Sequence, residues 1–507
     1  MSRFTRRTFL ERSLQAGAAA GVADLAFLQR LPAVSAAEVR EGTRRVQLEP
    51  DIEPLVRVIE DTPRPQVLDA VADKIRAGVG YQDLLAAVFL AGVRGIQPRP
   101  VGFKFHAVLV INSAHLASLA SPERERWLPL LWAIDNYKAS QATNKKEGDW
   151  SMAPVDEGTL PPLTQAHARF GQAMDQWDET GADRAVAALA RQAGAGEVLE
   201  LFYRYGARDF RDIGHKAIYV ANATRTLNAI GWRHAEPVLR SLAYALLQHE
   251  GDNPANRDGE PDRCGRENQE RLRQIPADWQ QGKRDPAVAA TLLHSLRTAS
   301  AADASNECVE LLKKHVHPAS IWDALFLHGS ELLMQQPGIV GIHCVTSVNA
   351  LHYSYQQSGV DQTRQFLLLQ AAAFLAQFRA RMESGLKKDR QLDTLEKVAV
   401  KPGAEGIAEV LTDVSKDPLL AARKLLTLSE EGGPTALAYM TAARRLIFTK
   451  GSDSHDYKFS SAALEDYHHV SPEWRNRYLA ASLFHQHGSL DKDNKLIDKA
   501  RAAVART

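Results

Sequence analysis

The chain has 507 residues, of which 45% are hydrophobic and 24% are charged, and its 62 Lys and Arg residues nearly balance 61 Asp and Glu residues. This composition is typical of a globular protein and excludes a disordered chain, a collagen and a small disulfide scaffold. The net charge of +1 argues against a dedicated nucleic-acid binder, which usually has a surplus of basic residues. The unusual count is 17 His against 3 Cys.

The N-terminal segment has the features of an export signal. Arg6 and Arg7 lie in a Thr-Arg-Arg-Thr-Phe-Leu sequence, which resembles the twin-arginine signal of bacterial exported proteins. A weakly apolar stretch follows, and residues 34–36 (Val-Ser-Ala) form a small-residue cleavage site. We therefore expect residues 1–36 to be a twin-arginine signal peptide, the twin-arginine export machinery to be a partner, and the mature protein to be periplasmic or extracellular. No later run of 18 uncharged apolar residues occurs, so no stable membrane anchor is expected.

After the signal, the hydrophobic pattern predicts helices almost throughout. Apolar residues recur with the i, i+3, i+4, i+7 spacing of an amphipathic helix, and alternating strand-like runs are rare. The predicted helices are 66–77, 82–94, 105–119, 124–135, 183–192, 197–205, 213–230, 235–248, 286–298, 304–314, 319–335, 339–356, 361–383, 418–428, 434–448 and 474–486. Three polar stretches are predicted to be long loops: 138–165, 250–285 and 385–405.

This pattern predicts an all-α protein, a multi-helical bundle of packed helix pairs. The bundle is expected to form either a single large domain or two helical halves. In the second arrangement, residues 37–250 are the N-terminal half and residues 251–285 a polar linker or loop. Residues 286–507 are then a C-terminal half that completes the same site. Nucleotide-binding glycine motifs, a GxSxG motif and an HExxH motif are all absent from the sequence.

Three histidines interrupt strongly apolar stretches: His106, His215 and His343. A buried neutral histidine must form a hydrogen bond or bind a metal. Each one alone is more simply explained as a hydrogen-bonded core residue, but three on separate helices favour a metal site, because helical bundles build metal sites from facing helices. Eight histidines in polar or terminal surroundings are predicted to be solvated: His167, His249, His315, His317, His468, His469, His485 and His487.

Two of the buried histidines have a second histidine nine residues later. His115 follows His106, and His352 follows His343. Nine residues turn a helix by about 900°, roughly half a turn away from the first face, so only one member of each pair can face a given site. The more apolar flanks favour His106 and His343, but the choice between His106 and His115 stays open.

A further pair of candidate ligands follows a predicted helix start. Asp453 or Ser454 is a suitable N-cap, and His455 and Lys458 are then three residues apart on one helix face. A lysine binds a metal only when it is deprotonated or converted to a carbamate, and burial in an apolar pocket favours both forms. The alternative is a solvated His and Lys at a polar helix start.

Three short motifs resemble those of the questin oxidase-like family. Residues 343–347 (His-Cys-Val-Thr-Ser) are similar to an apolar-His-x-Val-Thr-Ser segment of that family, and residues 455–458 (His-Asp-Tyr-Lys) to its Gly-His-Asp-x-Lys segment. Gly214-His215 resembles a third segment, and the order along the chain also agrees. Ser454 stands where the family has Gly. The resemblance implies an all-helical oxygenase fold with a mononuclear non-heme iron, several histidine ligands and a carbamylated lysine as the oxygen ligand.

The resemblance implies a non-heme iron oxidoreductase that acts on a small, aromatic molecule with dioxygen, and the N-terminal signal adds that this enzyme is exported. The implied metal ligands are His106, His215, His343, His455 and Lys458. His343, His455 and Lys458 are also the implied catalytic residues, and Asp212 and Asp456 are expected to orient histidine ring nitrogens. Two other hypotheses stay open: a periplasmic helical binding or scaffold protein, and a hydrolase that holds zinc with the same ligands.

Overall fold

A computed structural model describes residues 45–505, so the predicted signal peptide at residues 1–36 lies outside the described residues. Within residues 45–505 the regular structure is helical, and the only β pairing is an isolated bridge between Lys283 and Val316. The predicted all-α fold class is therefore confirmed. None of the helices in this range is both long and apolar enough to cross a membrane.

The α-helices are numbered here in chain order. The first eleven are α1 (Glu53–Asp61), α2 (Val67–Arg76), α3 (Tyr81–Gly95), α4 (His106–Leu109), α5 (Ile111–Leu119), α6 (Leu128–Lys146), α7 (Leu163–Gln176), α8 (Glu179–Gln192), α9 (Ala195–Gly206), α10 (His215–Ile230) and α11 (Ala235–Leu246). The others are α12 (Glu260–Arg271), α13 (Pro286–Leu296), α14 (Ala301–Lys313), α15 (Pro318–Gln335), α16 (Ile339–Gln357), α17 (Asp361–Met382), α18 (Gly403–Val414), α19 (Pro418–Leu428), α20 (Gly433–Lys450), α21 (Ser454–Asp466), α22 (Arg475–Ala481) and α23 (Lys495–Ala505).

Two of the predicted long loops are partly helical, so that part of the prediction is wrong. Helix α6 continues to Lys146, well into the polar stretch that begins at residue 138. Helix α12 lies within the polar stretch 250–285, and it packs through polar rather than apolar side chains. Its buried Asn268 donates a hydrogen bond to Gln370 at 2.8 Å. Hydrophobic periodicity does not detect a helix that is held in this way.

Chain neighbours pack as pairs, as predicted: α7 with α8, α15 with α16, α16 with α17, and α18 with α19. Helix α16 is central, because it also packs against α10 and α21, and its residues from Gly341 to His352 are all buried. The contacts between α16 and α10 join helices from residues 37–250 to helices from residues 286–507. The described residues from Val46 onwards form one compact unit. Helices α10, α16 and α21, together with the short α4, place the histidines described next.

Candidate metal centre

The four predicted histidines meet at one point. His106 begins α4, His215 begins α10, His343 lies in the second turn of α16, and His455 is the second residue of α21. One ring nitrogen from each lies within 4.8 Å of those of the other three. His215 and His343 are buried, while His106 and His455 are half-buried. Residues that are distant in sequence thus form a single cluster of imidazoles that can hold a metal ion.

Hydrogen bonds to the backbone fix the protonation of three rings. The Nδ1 atoms of His106 and His215 face the carbonyl oxygen three residues earlier, at 2.9 and 2.6 Å, and Nδ1 of His343 faces the carbonyl oxygen four residues earlier, at 2.6 Å. A carbonyl oxygen only accepts hydrogen bonds, so each Nδ1 must be the protonated nitrogen. In the neutral ring, each Nε2 then presents a lone pair to the centre of the cluster.

The spacing of these lone pairs fits a metal ion. Nε2 of His215 lies 2.9 Å from Nε2 of His106 and 3.0 Å from Nε2 of His343. Neither contact is a hydrogen bond when both Nε2 atoms lack a proton, and facing lone pairs repel each other. A cation between the lone pairs would replace this repulsion with attraction. Two nitrogens that each lie about 2.1 Å from one metal ion and bind it at a right angle are about 3.0 Å apart, which agrees with the distances observed here. The buried Nε2 of His455 has no hydrogen-bond partner among residues 45–505.

A carboxylate orients the fourth ring. Oδ1 of Asp453 accepts a hydrogen bond from Nδ1 of His455 at 2.5 Å and another from the backbone N–H of His455 at 2.7 Å. Asp453 is also the N-cap of α21, in a capping box with Asp456. The hydrogen bond from His455 is the main reason why the pKa of Asp453 is lowered. One ionised side chain therefore both starts the helix and points Nε2 of His455 at the cluster.

The expected orienting roles of Asp456 and Asp212 are wrong in detail. The Asp456 carboxylate contacts His487 at 3.3 Å and His485 at 3.6 Å and forms no hydrogen bond or ion pair with the four clustered histidines. These two histidines, predicted to be solvated, are half-buried because the segment after α22 packs against α21. Asp212 does orient His215, but through its backbone carbonyl rather than its carboxylate, which accepts a hydrogen bond from the Val101 N–H at 3.3 Å.

The environment keeps three of the clustered histidines, His106, His215 and His343, neutral. Burial, followed by the nearby positive charge of Lys458, lowers the pKa of His106 to about 2 and the pKa values of His215 and His343 well below the usual range. Neutral imidazole is the form that binds metals. These three rings can therefore bind a cation at neutral pH without first losing a proton.

Lys458 borders the cluster. Its side chain is buried, and Nζ lies 3.5 Å from Nε2 of His215. Burial lowers the pKa of Lys458 to about 7, and the charge of Asp453 only partly opposes this shift. No carboxylate within residues 45–505 forms an ion pair with Lys458, and its lowered pKa makes the neutral amine accessible near neutral pH.

The turn before α10 places His215 through an uncommon backbone. Asp212, Ile213 and Gly214 have φ values of 53°, 47° and 80°. Left-handed non-glycine residues each cost about 1–3 kcal/mol and are common at functional sites. A side chain at Gly214 would meet Ser347 Oγ at 2.2 Å, so α10 approaches α16 closely only because residue 214 is glycine.

Buried ion pairs next to this turn hold it in place. Lys216 Nζ lies 2.9 Å from Asp209 Oδ2, and the Arg211 guanidinium binds both carboxylate oxygens of Asp262. The dense charges at residues 208–212 are therefore part of a buried network that fixes the start of α10.

The two alternative histidines lie elsewhere. Nδ1 of His115 is 3.1 Å from the hydroxyl of Tyr81, and the His352 ring packs between the rings of Trp322 and Phe326. The open choice between His106 and His115 is thus resolved by geometry in favour of His106. The sequence predicts Asp453 only as an N-cap, although its position two residues before His455 also indicates that it can orient this ring.

No family model, curated protein or solved structure matches this chain. The metal-binding capacity of the cluster therefore rests on its own geometry. The resemblance to the questin oxidase-like family stays an expectation from the sequence.

Proposed function

We propose that this protein is a metal-dependent oxidoreductase that holds one non-heme iron ion and oxidises a small aromatic molecule with dioxygen. The observation that supports a metal most strongly is the convergence of Nε2 lone pairs from four histidines whose Nδ1 atoms are fixed by acceptors. The choice of iron rather than zinc rests on the resemblance of residues 343–347 and 455–458 to the questin oxidase-like family.

The residues that would hold the iron are His106, His215, His343, His455 and Lys458. The neutral amine of Lys458 can add to dissolved CO₂, forming a C–N bond and releasing one proton to solvent, which gives a carbamate with one negative charge. Four neutral imidazoles and one anionic oxygen leave a ferrous site with a charge of +1. When bound, iron supplies the redox chemistry that activates dioxygen.

The protein contributes orientation and exclusion of water. The backbone carbonyl acceptors of His106, His215 and His343 and the carboxylate of Asp453 keep the four rings in one tautomer and in one orientation. The helices around the cluster bury His215 and His343 and half-bury His106 and His455, so contact of the cluster with bulk water is limited.

Metal analysis of anaerobically purified protein tests this proposal. We expect one iron per chain in the native protein, less than a tenth of that in His343→Ala, and dioxygen consumption only in the iron form. His115→Gln is the matched control, because this histidine is nearby in sequence but outside the cluster, and it should keep its iron. Stoichiometric zinc without dioxygen consumption would favour the hydrolase, and no stoichiometric metal would favour a binding or scaffold protein.

The carbamate has its own test. Protein equilibrated with ¹³C-bicarbonate should give a carbamate carbon signal that disappears in Lys458→Met. An unchanged signal in Lys458→Met would assign the carbamate to another amine and would remove Lys458 from the proposed ligand set.

We also propose that the protein is exported through the twin-arginine pathway, on the basis of Arg6 and Arg7. Replacement of both by lysine should leave the full-length protein in the cytoplasmic fraction of a bacterial host, whereas the native chain should appear in the periplasm as a shortened form. Equal export of both chains would contradict this part of the proposal.

A further inference from the structure

A cavity of about 540 Å³ lies between α5, α10, α16, α20 and α21. Its walls include Leu116, Ile447 and the ring of Tyr353, and its size is within the range of small-molecule sites. Polar and charged side chains, among them Asn112, Arg225 and Arg444, stand beside these apolar ones. Pockets for organic ligands combine apolar walls with polar groups that fix the ligand's orientation.

This outer cavity adjoins the metal centre. It shares Asn112, Arg225, Ser461 and Glu465 with an inner cavity of about 10 Å³, which Lys458 also lines. A cavity of that size holds about one water-sized molecule. An organic substrate therefore fits the outer cavity and not the inner one.

An ion pair separates the two cavities. Nη2 of Arg225 lies 2.9 and 2.8 Å from the two carboxylate oxygens of Glu465, and Asn349 forms hydrogen bonds with both side chains at 3.3 and 3.2 Å. Both side chains line the two cavities and so lie at the boundary between them. Because Arg225 is paired with Glu465, its charge is compensated before any ligand enters.

The positive charge of the second arginine in the outer cavity, Arg444, is not compensated by a carboxylate. Arg444 is half-buried, and within residues 45–505 its guanidinium has no hydrogen bond, ion pair or aromatic partner. Burial alone lowers its pKa, and no neighbouring carboxylate opposes that shift. A guanidinium presents paired N–H donors that match the two oxygens of a carboxylate. Arg444 is a partly desolvated, unpaired cation in a pocket of the size that an organic ligand needs. It therefore indicates that the ligand carries a negative charge.

We infer that the outer cavity is the substrate pocket and that the substrate bears a carboxylate, which Arg444 binds. This inference rests on the proposed function for the role of the ligand as substrate. The organic part of the ligand lies against Tyr353, Leu116 and Ile447, with the Arg225–Glu465 pair between it and Lys458. A carboxylate is favoured over a phenol because a phenol is uncharged at neutral pH.

Calorimetric titration with 2-naphthoate and its neutral isostere 2-naphthamide tests the inference on the iron-loaded protein. Native protein should bind 2-naphthoate about 10- to 100-fold more tightly than 2-naphthamide, as expected for a hydrogen-bonded charge. Arg444→Gln should lose this preference, and Arg444→Lys should keep part of it. The matched control is Arg445→Gln, because Arg445 is adjacent on α20 but faces Glu125, and it should leave both affinities unchanged. Equal 2-naphthoate affinity in native protein and Arg444→Gln would overturn the inference.

The same titration on His343→Ala separates this inference from the proposed function. The iron is expected to be lost in that variant, but 2-naphthoate should still bind, because Arg444 lies beyond the Arg225–Glu465 pair. Binding of 2-naphthoate that depends on His343 and not on Arg444 would place the carboxylate on the metal and would refute the inference. A native protein that lacks iron but keeps Arg444-dependent binding would refute the proposed function alone.

Discussion

Replacement of Gly214 by alanine tests how closely α10 must approach α16 to place His215. Residue 214 has a φ of 80°, and an alanine in this left-handed conformation costs about 1–2 kcal/mol. Its new Cβ would lie 2.2 Å from Ser347 Oγ and 3.1 Å from Ser347 Cβ. An overpacked buried contact of this kind costs a further 1–3 kcal/mol, roughly. We therefore expect Gly214→Ala to lower the free energy of unfolding of the metal-free protein by about 2–5 kcal/mol.

Replacement of Ser347 separates the cost of the left-handed backbone from the cost of the close contact. Ser347 Oγ is buried and has no hydrogen-bond partner among the described residues, so Ser347→Ala alone should change stability little. In the double variant Gly214→Ala/Ser347→Ala the 2.2 Å contact is gone, and mainly the backbone cost of about 1–2 kcal/mol should remain. Guanidinium denaturation followed by far-ultraviolet circular dichroism measures all four proteins. Equal destabilisation of the single Gly214→Ala variant and the double variant would refute the assigned contact.

Two other substitutions test the Asp453 carboxylate, which orients the ring of His455, and the buried His328. Asp453→Asn keeps an N-cap but removes the charged acceptor of His455 Nδ1, so metal affinity in a chelator competition should fall about 10- to 100-fold; an unchanged affinity would contradict the orienting role. Both ring nitrogens of His328 lack a hydrogen-bond partner within residues 45–505, and burial lowers its pKa to about 3. In the unfolded chain His328 has its ordinary pKa of 6.5 and gains a proton as the pH falls below that value, whereas in the folded chain it stays neutral down to about pH 3. The free energy of unfolding should therefore fall between about pH 6.5 and pH 3, by up to about 1.4 kcal/mol per pH unit. His328→Leu should remove this contribution from unfolding free energies measured across that range, and an identical pH dependence in both proteins would show that His328 is protonated in the folded state.

The sequence predicted the fold class from helical periodicity, and the members of the cluster from local patterns together with the resemblance of three short motifs. Apolar flanks marked His106, His215 and His343 as buried, and an N-cap followed by the i, i+3 spacing put His455 and Lys458 on one helix face. The contacts themselves link residues 109 and 128 positions apart, and no helical periodicity encodes such distances.

What the sequence did not predict depends on backbone detail. Two non-glycine residues with positive φ precede His215, and this turn is held by buried ion pairs rather than by a local propensity. The orienting carboxylate is Asp453 and not Asp456, because the N-cap side chain turns back over the first helical turn towards His455. Helix α12 escaped detection because its buried contacts are polar.

X-ray absorption spectroscopy of the iron-loaded protein tests the central claim most directly. We expect scattering from four imidazole rings at about 2.1 Å from the iron, with an additional oxygen that is lost in Lys458→Met. Iron that binds without imidazole scattering, or with an unchanged spectrum in His343→Ala, would contradict a metal centre built from these four histidines.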